Sequence, residues 1–408
     1  MSSCAQSSAP ASSESSGGSP PSVSAVSPIG QSAQPTQIPS ATQASTTVQS
    51  APLAVMVHTA GLGEPYFVTL VPLNGIGGAW VQPKTRSSKE YFWPPTACPA
   101  GGTPPCGTSS TANYRFPETS ISNTHVYFLD GDTDVRSLAP NGTVRAVMTI
   151  PAPPNSQVVF AVSPDDSRIA ISVITLATST SAASFNDVLY VEDLGRGANR
   201  LDLYSSSALA EWPIGWHGND VVVASASDIS VNTDSPYGGT GYRLLDSVTG
   251  NTVKALDCDR GLLVKAGVAC ATGWCSIPSL CETGTLGKES WSGQKSVFSV
   301  AAGPVPKIFP VWEYLDLSPD GTRILSAVVS NSSTGALETD LFGDGASSLV
   351  SALGSPQGWL DDTHVLVSSS SAVWVLDLTT DSATQVTGLK TIALEGTPSL
   401  AGVLPGGL

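Results

Sequence analysis

Three carboxylates at alternate positions, in Asp130-Gly131-Asp132-Thr133-Asp134, are the chain's most suggestive chemical pattern. A calcium loop begins this way, with oxygen ligands at its first, third and fifth positions. The pattern then breaks, because Val135 stands where such a loop needs glycine and Asn141 where it needs a bidentate glutamate. The spacing favours an acidic hairpin turn, with calcium as the alternative. Of the four histidines, His125 and His364 fall at the same place in two related segments, Ser-Asn-Thr-His-Val and Asp-Asp-Thr-His-Val. Residues equivalent between repeats serve the repeat itself. Trp216 and His217 stand in a turn and are candidates for a binding surface. His58 lies in a predicted strand near Glu64, and its sequence context assigns it no chemistry. There is no G-x-S-x-G elbow, no G-x-x-x-x-G-K-[ST] loop and no H-E-x-x-H helix signature, and no catalytic residue is assigned.

One segment departs from the acidic background. Lys84, Arg86 and Lys89 precede Tyr91-Phe92-Trp93-Pro94-Pro95 in a chain with only 18 basic residues and a net charge of −15. Three consecutive aromatics cannot alternate as a half-buried strand, and rings beside cations are what interface anchors and sugar platforms use. These six residues, with Trp216 and His217, form the candidate binding set; packing beneath a loop is the competing reading. The negative charge argues against nucleic acid or an anionic membrane face as partner.

Seven cysteines divide into Cys4, near the start, and an even set of six: Cys98, Cys106, Cys258, Cys270, Cys275 and Cys281. C-x₂-C pairs are missing, so disulfides are expected rather than zinc, which implies an oxidising compartment. Cys98 and Cys106 bracket a short Pro/Gly loop that closes on itself, while pairing among the other four stays open.

Residues 1–50 are mostly Ser, Ala, Thr, Pro and Gln with a single charge, Glu14. Such a composition buries too little apolar surface to offset its ordering entropy, and a semi-extended tether is expected. Met1-Ser2-Ser3-Cys4 resembles the last positions of a bacterial lipoprotein signal, in which small residues precede a cysteine that becomes acylated. The charged and apolar regions of such a signal are not in the sequence, and Met1 stands where the pattern prefers leucine. The resemblance implies a secreted, extracytoplasmic envelope protein whose membrane contact is a lipid at Cys4.

Residues 51–408 read as short strands separated by turn signals. Phe160–Ser172, FAVSPDDSRIAIS, aligns with Leu315–Ala327, LDLSPDGTRILSA. Weaker copies are GWHGNDVVVAS from Gly215, GWLDDTHVLVS from Gly358 and SISNTHVYFLD from Ser120. Each is followed by a second strand pair, giving the four strands of one propeller blade. The Ser-Pro-Asp-Gly-Thr-Arg turn resembles the repeats of TolB-type and other WD-repeat-like propellers over most of 114–389. That resemblance implies an all-β fold, a single β-propeller of four-stranded blades over 51–408. Six blades are expected at 111–150, 157–205, 213–256, 260–303, 311–350 and 357–390. Leu53–His58, Phe67–Val71 and Ala79–Gln82 would join Ala393–Leu404 in a seventh blade closed by both chain ends. Six blades is the alternative.

The fold implies little about activity. The favoured reading is a monomeric, non-catalytic binding or scaffold protein for a protein or glycan partner, with no cofactor. The alternative is a propeller hydrolase or lyase with carboxylates, and calcium, at the channel mouth.

Overall fold

The sharpest repeat explains its own geometry. In Ser163-Pro164-Asp165-Asp166-Ser167-Arg168, the Ser163 hydroxyl accepts the Arg168 N–H at 2.9 Å while donating to Asp165 at 2.7 Å. Asp166 takes φ 59° there, and in the second copy Gly321 takes φ 70° at the equivalent position. Asp tolerates this left-handed conformation better than most side chains, and Gly adopts it without a Cβ penalty. Ser318 and Asp320 repeat the hydrogen bonds, with the Arg323 N–H at 3.0 Å from the Ser318 hydroxyl. Each turn joins two antiparallel strands, Ser156–Val162 to Arg168–Leu176 and Pro310–Leu317 to Ile324–Asn331.

A computed structural model describes residues 51–59, 65–87, 89–92, 109–111, 116–176, 185–227, 236–239, 241–272, 285–298, 310–331, 336–343, 346–351, 353–369, 372–390 and 398–407. The chain divides into Met1–Gln49 and Ser50–Leu408, and all that follows concerns the second unit. Its strands form seven four-stranded antiparallel sheets, the blades of a β-propeller. Blades 1 to 6 span 119–149, 156–206, 210–256, 260–298, 310–351 and 355–385. Blade 7 joins Ser399–Leu404 to Leu53–Thr59, Tyr66–Pro72 and Trp80–Val81, so both chain ends close the ring as the leftover strands predict. Leu53 pairs with Leu404, Ala54 with Val403 and Val55 with Gly402, before a bulge shifts Met56 onto Leu400.

Within each blade the last strand in chain order is outermost; Ser382–Gln385 is exposed along its length. Blade 7 differs, with Trp80–Val81 at its outer edge. The first strands adjoin one another around the axis. The core is divided among the seams between blades: Ala161, Ala170, Leu189 and Val191 of blade 2 pack on Trp216, Val221, Val223 and Leu245 of blade 3. Cys258 and Cys270 form a disulfide that ties the lead-in of blade 4 to its second strand. Cys4, Cys98, Cys106, Cys275 and Cys281 lie outside the described residues.

Blade 1 departs from its expected start at 111. Ser109–Thr111 pairs instead with Glu90–Phe92 in a two-stranded ribbon, and the first blade strand is Thr119–Ile121.

Candidate functional site

The connection from blade 7 to blade 1 carries a two-stranded ribbon that belongs to no blade. Its first part is fastened to the acidic turn of blade 1. The Lys84 N–H donates to Asp130 Oδ1 at 2.7 Å, and the Lys84 carbonyl accepts the Gly131 N–H at 3.1 Å. The Ser87 N–H reaches Asp132 Oδ1 at 2.8 Å, and Lys89 Nζ lies 3.0 Å from Asp132 Oδ2. Arg136 pairs with Asp130 at 2.7 Å, and Thr149 donates to Asp134 at 2.7 Å. All three carboxylates of the calcium-like pattern are thus engaged by protein donors. Burial raises the Asp132 carboxyl, and the hydrogen bonds from Ser87 and Lys89 outweigh that effect and hold it below the usual range. Among the described residues, no group of three or more His, Cys, Asp or Glu is arranged to hold a metal ion.

Arg86 leaves this clasp and enters the protein. It is 4% exposed, and its Nη2 donates to Gln157 Oε1 at 3.1 Å and to the Val158 carbonyl at 3.2 Å on the first strand of blade 2. Glu118, just before blade 1, is raised by burial, with the Arg86 charge and a Thr59 hydrogen bond opposing. Tyr66 donates to the Leu129 carbonyl, and burial, with Glu118's charge, pushes its phenol far up. Phe116 packs edge-on against Trp212 of blade 3, with ring centroids 4.9 Å apart. The connection therefore touches blades 1, 2 and 3 in turn.

Beside it, blades 2 and 3 meet through a second charged group. Asp187 accepts Ser172 Oγ at 2.6 Å and the Glu211 N–H at 2.7 Å. Burial pushes the Asp187 carboxyl up to about 7 against both hydrogen bonds, and the neighbouring Glu211 charge adds to the rise. Glu211 is raised by burial and opposed by Arg243, which donates to its Oε2. Arg243 also reaches Thr252 Oγ1 at 3.0 Å and stands 5.6 Å from the centre of the Tyr204 ring. In blade 5, burial pushes Asp316 up to about 6, opposed by the Leu262 N–H at 2.9 Å.

The sequence candidates separate into three groups. Lys84, Arg86 and Lys89 are brought together as the clasp and its buried arm. Tyr91 and Phe92 lie on the ribbon strand Glu90–Phe92, while Trp93 lies outside the described residues. Trp216 is 3% exposed, and its indole N–H donates to the Ala161 carbonyl at 3.0 Å, so its ring belongs to the seam between blades 2 and 3. His217 stacks on Trp291 with centroids 5.1 Å apart. His125 and His364 hold equivalent turns through their N–H groups, to Ser122 Oγ and Asp361 Oδ1.

Glu118, Gln157, Asp187, Glu211 and Arg243 carried no motif. For Gln157 the one legible signal is a polar residue at a buried position of a largely apolar strand, Ser156–Val162, SQVVFAV.

No family model matches the chain, and no curated protein matches it. Its fold is similar to solved propellers at low identity. The Vibrio parahaemolyticus oligogalacturonate lyase matches over 81% of this chain and 78% of that one, at 9% identity and TM-score 0.37. The Dos1 propeller matches over 84% and 86%, at 11% identity and TM-score 0.38. The Pyrococcus horikoshii acylaminoacyl peptidase matches over 84% of this chain but 53% of its own length, at 10% identity and TM-score 0.43. The chain thus spans about half the length of that peptidase.

Proposed function

We propose that this protein is a non-catalytic binding protein of a bacterial cell envelope, which presents the segment at Tyr91, Phe92 and Trp93 to a protein or glycan partner. The observation that carries this reading is the way the connection between blades 7 and 1 is fixed at its base. Lys84, Ser87 and Lys89 grip Asp130 and Asp132, and Arg86 reaches Gln157. A segment anchored in this way costs little further entropy when it meets a partner. Closely spaced aromatics beside cations are the residue types that anchor interfaces.

The buried carboxylates support a binding role over a catalytic one. Asp187, Glu211 and Asp316 are each committed to backbone or arginine partners. The Cys258–Cys270 disulfide supports an oxidising compartment. The Ser-Pro-Asp turns support kinship with TolB-type and WD-repeat-like propellers. In this reading residues 1–50 are the tether and Cys4 carries the lipid, leaving the propeller a monomer.

Replacing Tyr91, Phe92 and Trp93 together with alanine is expected to lower capture of partner from solubilised envelope at least about tenfold while leaving the melting temperature unchanged. Equal capture by the variant would overturn the assignment. For the anchor, metabolic labelling with an alkyne fatty acid should mark the full chain and fail on Cys4→Ser.

A further inference from the structure

The sequence contains two Asn-Gly pairs, Asn74-Gly75 and Asn141-Gly142. They occupy equivalent turns of neighbouring blades. Asn74-Gly75 carries the chain from Tyr66–Pro72 to the outermost strand of blade 7, Trp80–Val81. Asn141-Gly142 carries it from Asp134–Leu138 to the outermost strand of blade 1, Val144–Thr149.

Within each turn the hydrogen bonds are the same. The Gly75 N–H donates to the Pro72 carbonyl at 2.9 Å, and the Gly142 N–H to the Ala139 carbonyl at 2.9 Å. The Ile76 N–H donates to Asn74 Oδ1 at 3.1 Å, and the Thr143 N–H to Asn141 Oδ1 at 3.0 Å. This last bond folds each carboxamide back along the peptide that follows it. From there the glycine nitrogen can close a five-membered ring on the asparagine Cγ, and proximity of that kind is worth a large part of a barrier. Glycine has no side chain to shield its nitrogen.

Beyond the turns the surroundings differ. Gly75 is buried, and a Cβ there would meet Thr384 Cγ2 at 3.0 Å and the Gln385 carbonyl oxygen at 3.1 Å, both in blade 6. Its own carbonyl accepts the Thr387 N–H at 2.7 Å, and the Gly77 N–H donates to the Thr387 carbonyl at 2.6 Å. Asn141, Gly142 and Thr143 are all exposed. Among the described residues, a Cβ on Gly142 would meet only Ala79 Cβ, at 3.4 Å. Ring closure requires the glycine nitrogen to give up its proton, so the turn must first open. Opening the blade 1 turn breaks bonds within the turn alone, whereas opening the blade 7 turn also breaks those to Thr387 and uncovers a buried glycine.

We propose that Asn141 is a site of spontaneous deamidation in the folded protein, and that packing against blade 6 protects Asn74. The Gly142 nitrogen attacks Asn141 Cγ; the N–Cγ bond forms, the Cγ–Nδ2 bond breaks, and Nδ2 leaves as ammonia with the proton from the Gly142 nitrogen. Water then opens the succinimide at either carbonyl and leaves aspartate or isoaspartate, with no change of oxidation state. Either product adds a negative charge to the turn. The isoaspartate branch also lengthens the main chain inside the bond from the Ala139 N–H to the Thr143 carbonyl, which adjoins the pairing of Leu138 with Val144. The site goes beyond the binding reading and does not depend on it.

The test follows both sites in the full, unsubstituted chain. After incubation at mildly alkaline pH, digestion at acid pH and mass spectrometry measure the mass gain at each asparagine, and enzymatic methylation measures isoaspartate. In the folded protein Asn141 is expected to convert at least about tenfold faster than Asn74. In denaturant, where only the local Asn-Gly sequence acts, the two should convert at similar rates. Amide exchange followed by NMR should be faster at Gly142 than at Gly75 by a comparable factor. Conversion of Asn141 no faster than Asn74 in the folded chain, or none at Asn141 while the unfolded chain converts, would overturn the proposal. The same preference for Asn141 persisting in denaturant would overturn the protection assigned to blade 6.

Discussion

The indole N–H of Trp216, in blade 3, donates to the main-chain carbonyl of Ala161, in blade 2, at 3.0 Å. The same contact recurs three blades on, where Trp359 of blade 6 donates to the Asp316 carbonyl of blade 5 at 3.0 Å. In both places the arginine that ends the Ser-Pro-Asp turn covers the ring, Arg168 at 5.9 Å from the Trp216 centroid and Arg323 at 4.9 Å from that of Trp359. Arg168 continues to Ser247, and Arg323 to the Asp362 carbonyl. The sharp turn of one blade and the Gly-Trp of the next are therefore two halves of one latch.

Breaking the latch is expected to cost stability at both sites. Trp216→Ala and Trp359→Ala should each destabilise by about 3–5 kcal/mol, the usual range for a large aromatic removed from a core. Trp216→Phe keeps most of the packing and strands the Ala161 carbonyl, which should cost about 1–3 kcal/mol. Urea unfolding monitored by circular dichroism measures all three. A Trp216→Ala variant as stable as the parent would show that the seam does not depend on this ring.

Asp187 should make stability depend on pH in a definite direction. Its carboxyl stands at about 7 in the folded protein against 3.8 for the free group, so the folded state binds the proton more tightly than the unfolded one. Its contribution is fully present below 3.8 and is lost as pH rises through 7. Asp187→Asn removes that dependence, because the neutral amide keeps an acceptor for the Glu211 N–H and the Ser172 hydroxyl can turn to accept. The difference in unfolding free energy, Asp187→Asn minus parent, should therefore rise between pH 4 and 7, by a few kcal/mol at most. A flat difference curve would mean that Asp187 is ionised in the folded protein throughout.

The clasp at Asp132 should act locally. Its partners are partly exposed, with Lys89 at 14% and Asp132 at 35%, so the ion pair contributes no more than about 1 kcal/mol to global stability. Asp132→Ala also releases the Ser87 N–H, and amide exchange over 84–92 should quicken at least about fivefold while the melting temperature stays within a few degrees. Unchanged exchange in that segment would show that Arg86 and Gln157 alone hold it.

Much of the fold was legible in local chemistry. The two Ser-Pro-Asp copies define a turn through contacts no more than five residues apart, so Ser163 and Ser318 announce blades 2 and 5 without tertiary information. The seventh blade followed from unused apolar segments at both ends, since an open propeller would leave strand edges unpaired. Less was legible where one segment had two partners to choose from. Ser109–Thr111 carries no residue that prefers a blade over a ribbon, and its pairing with Glu90–Phe92 was decided by proximity.

By itself, then, the sequence determined an all-β chain of repeated four-strand units, an acidic turn at Asp130 to Asp134, and a basic and aromatic segment unlike its surroundings. Those features rest on neighbours in the chain, where spacing and side-chain type are enough. Only the tertiary structure decided that the acidic turn grips Lys84, Ser87 and Lys89, that Trp216 faces a seam and not solvent, and that Asp187 of blade 2 meets Glu211 of blade 3, itself paired with Arg243. Arg86 and Gln157 are 71 residues apart and Lys84 and Asp130 are 46. Nothing in either local segment specifies the other, because the closing of the ring, and not any motif, brings them within reach.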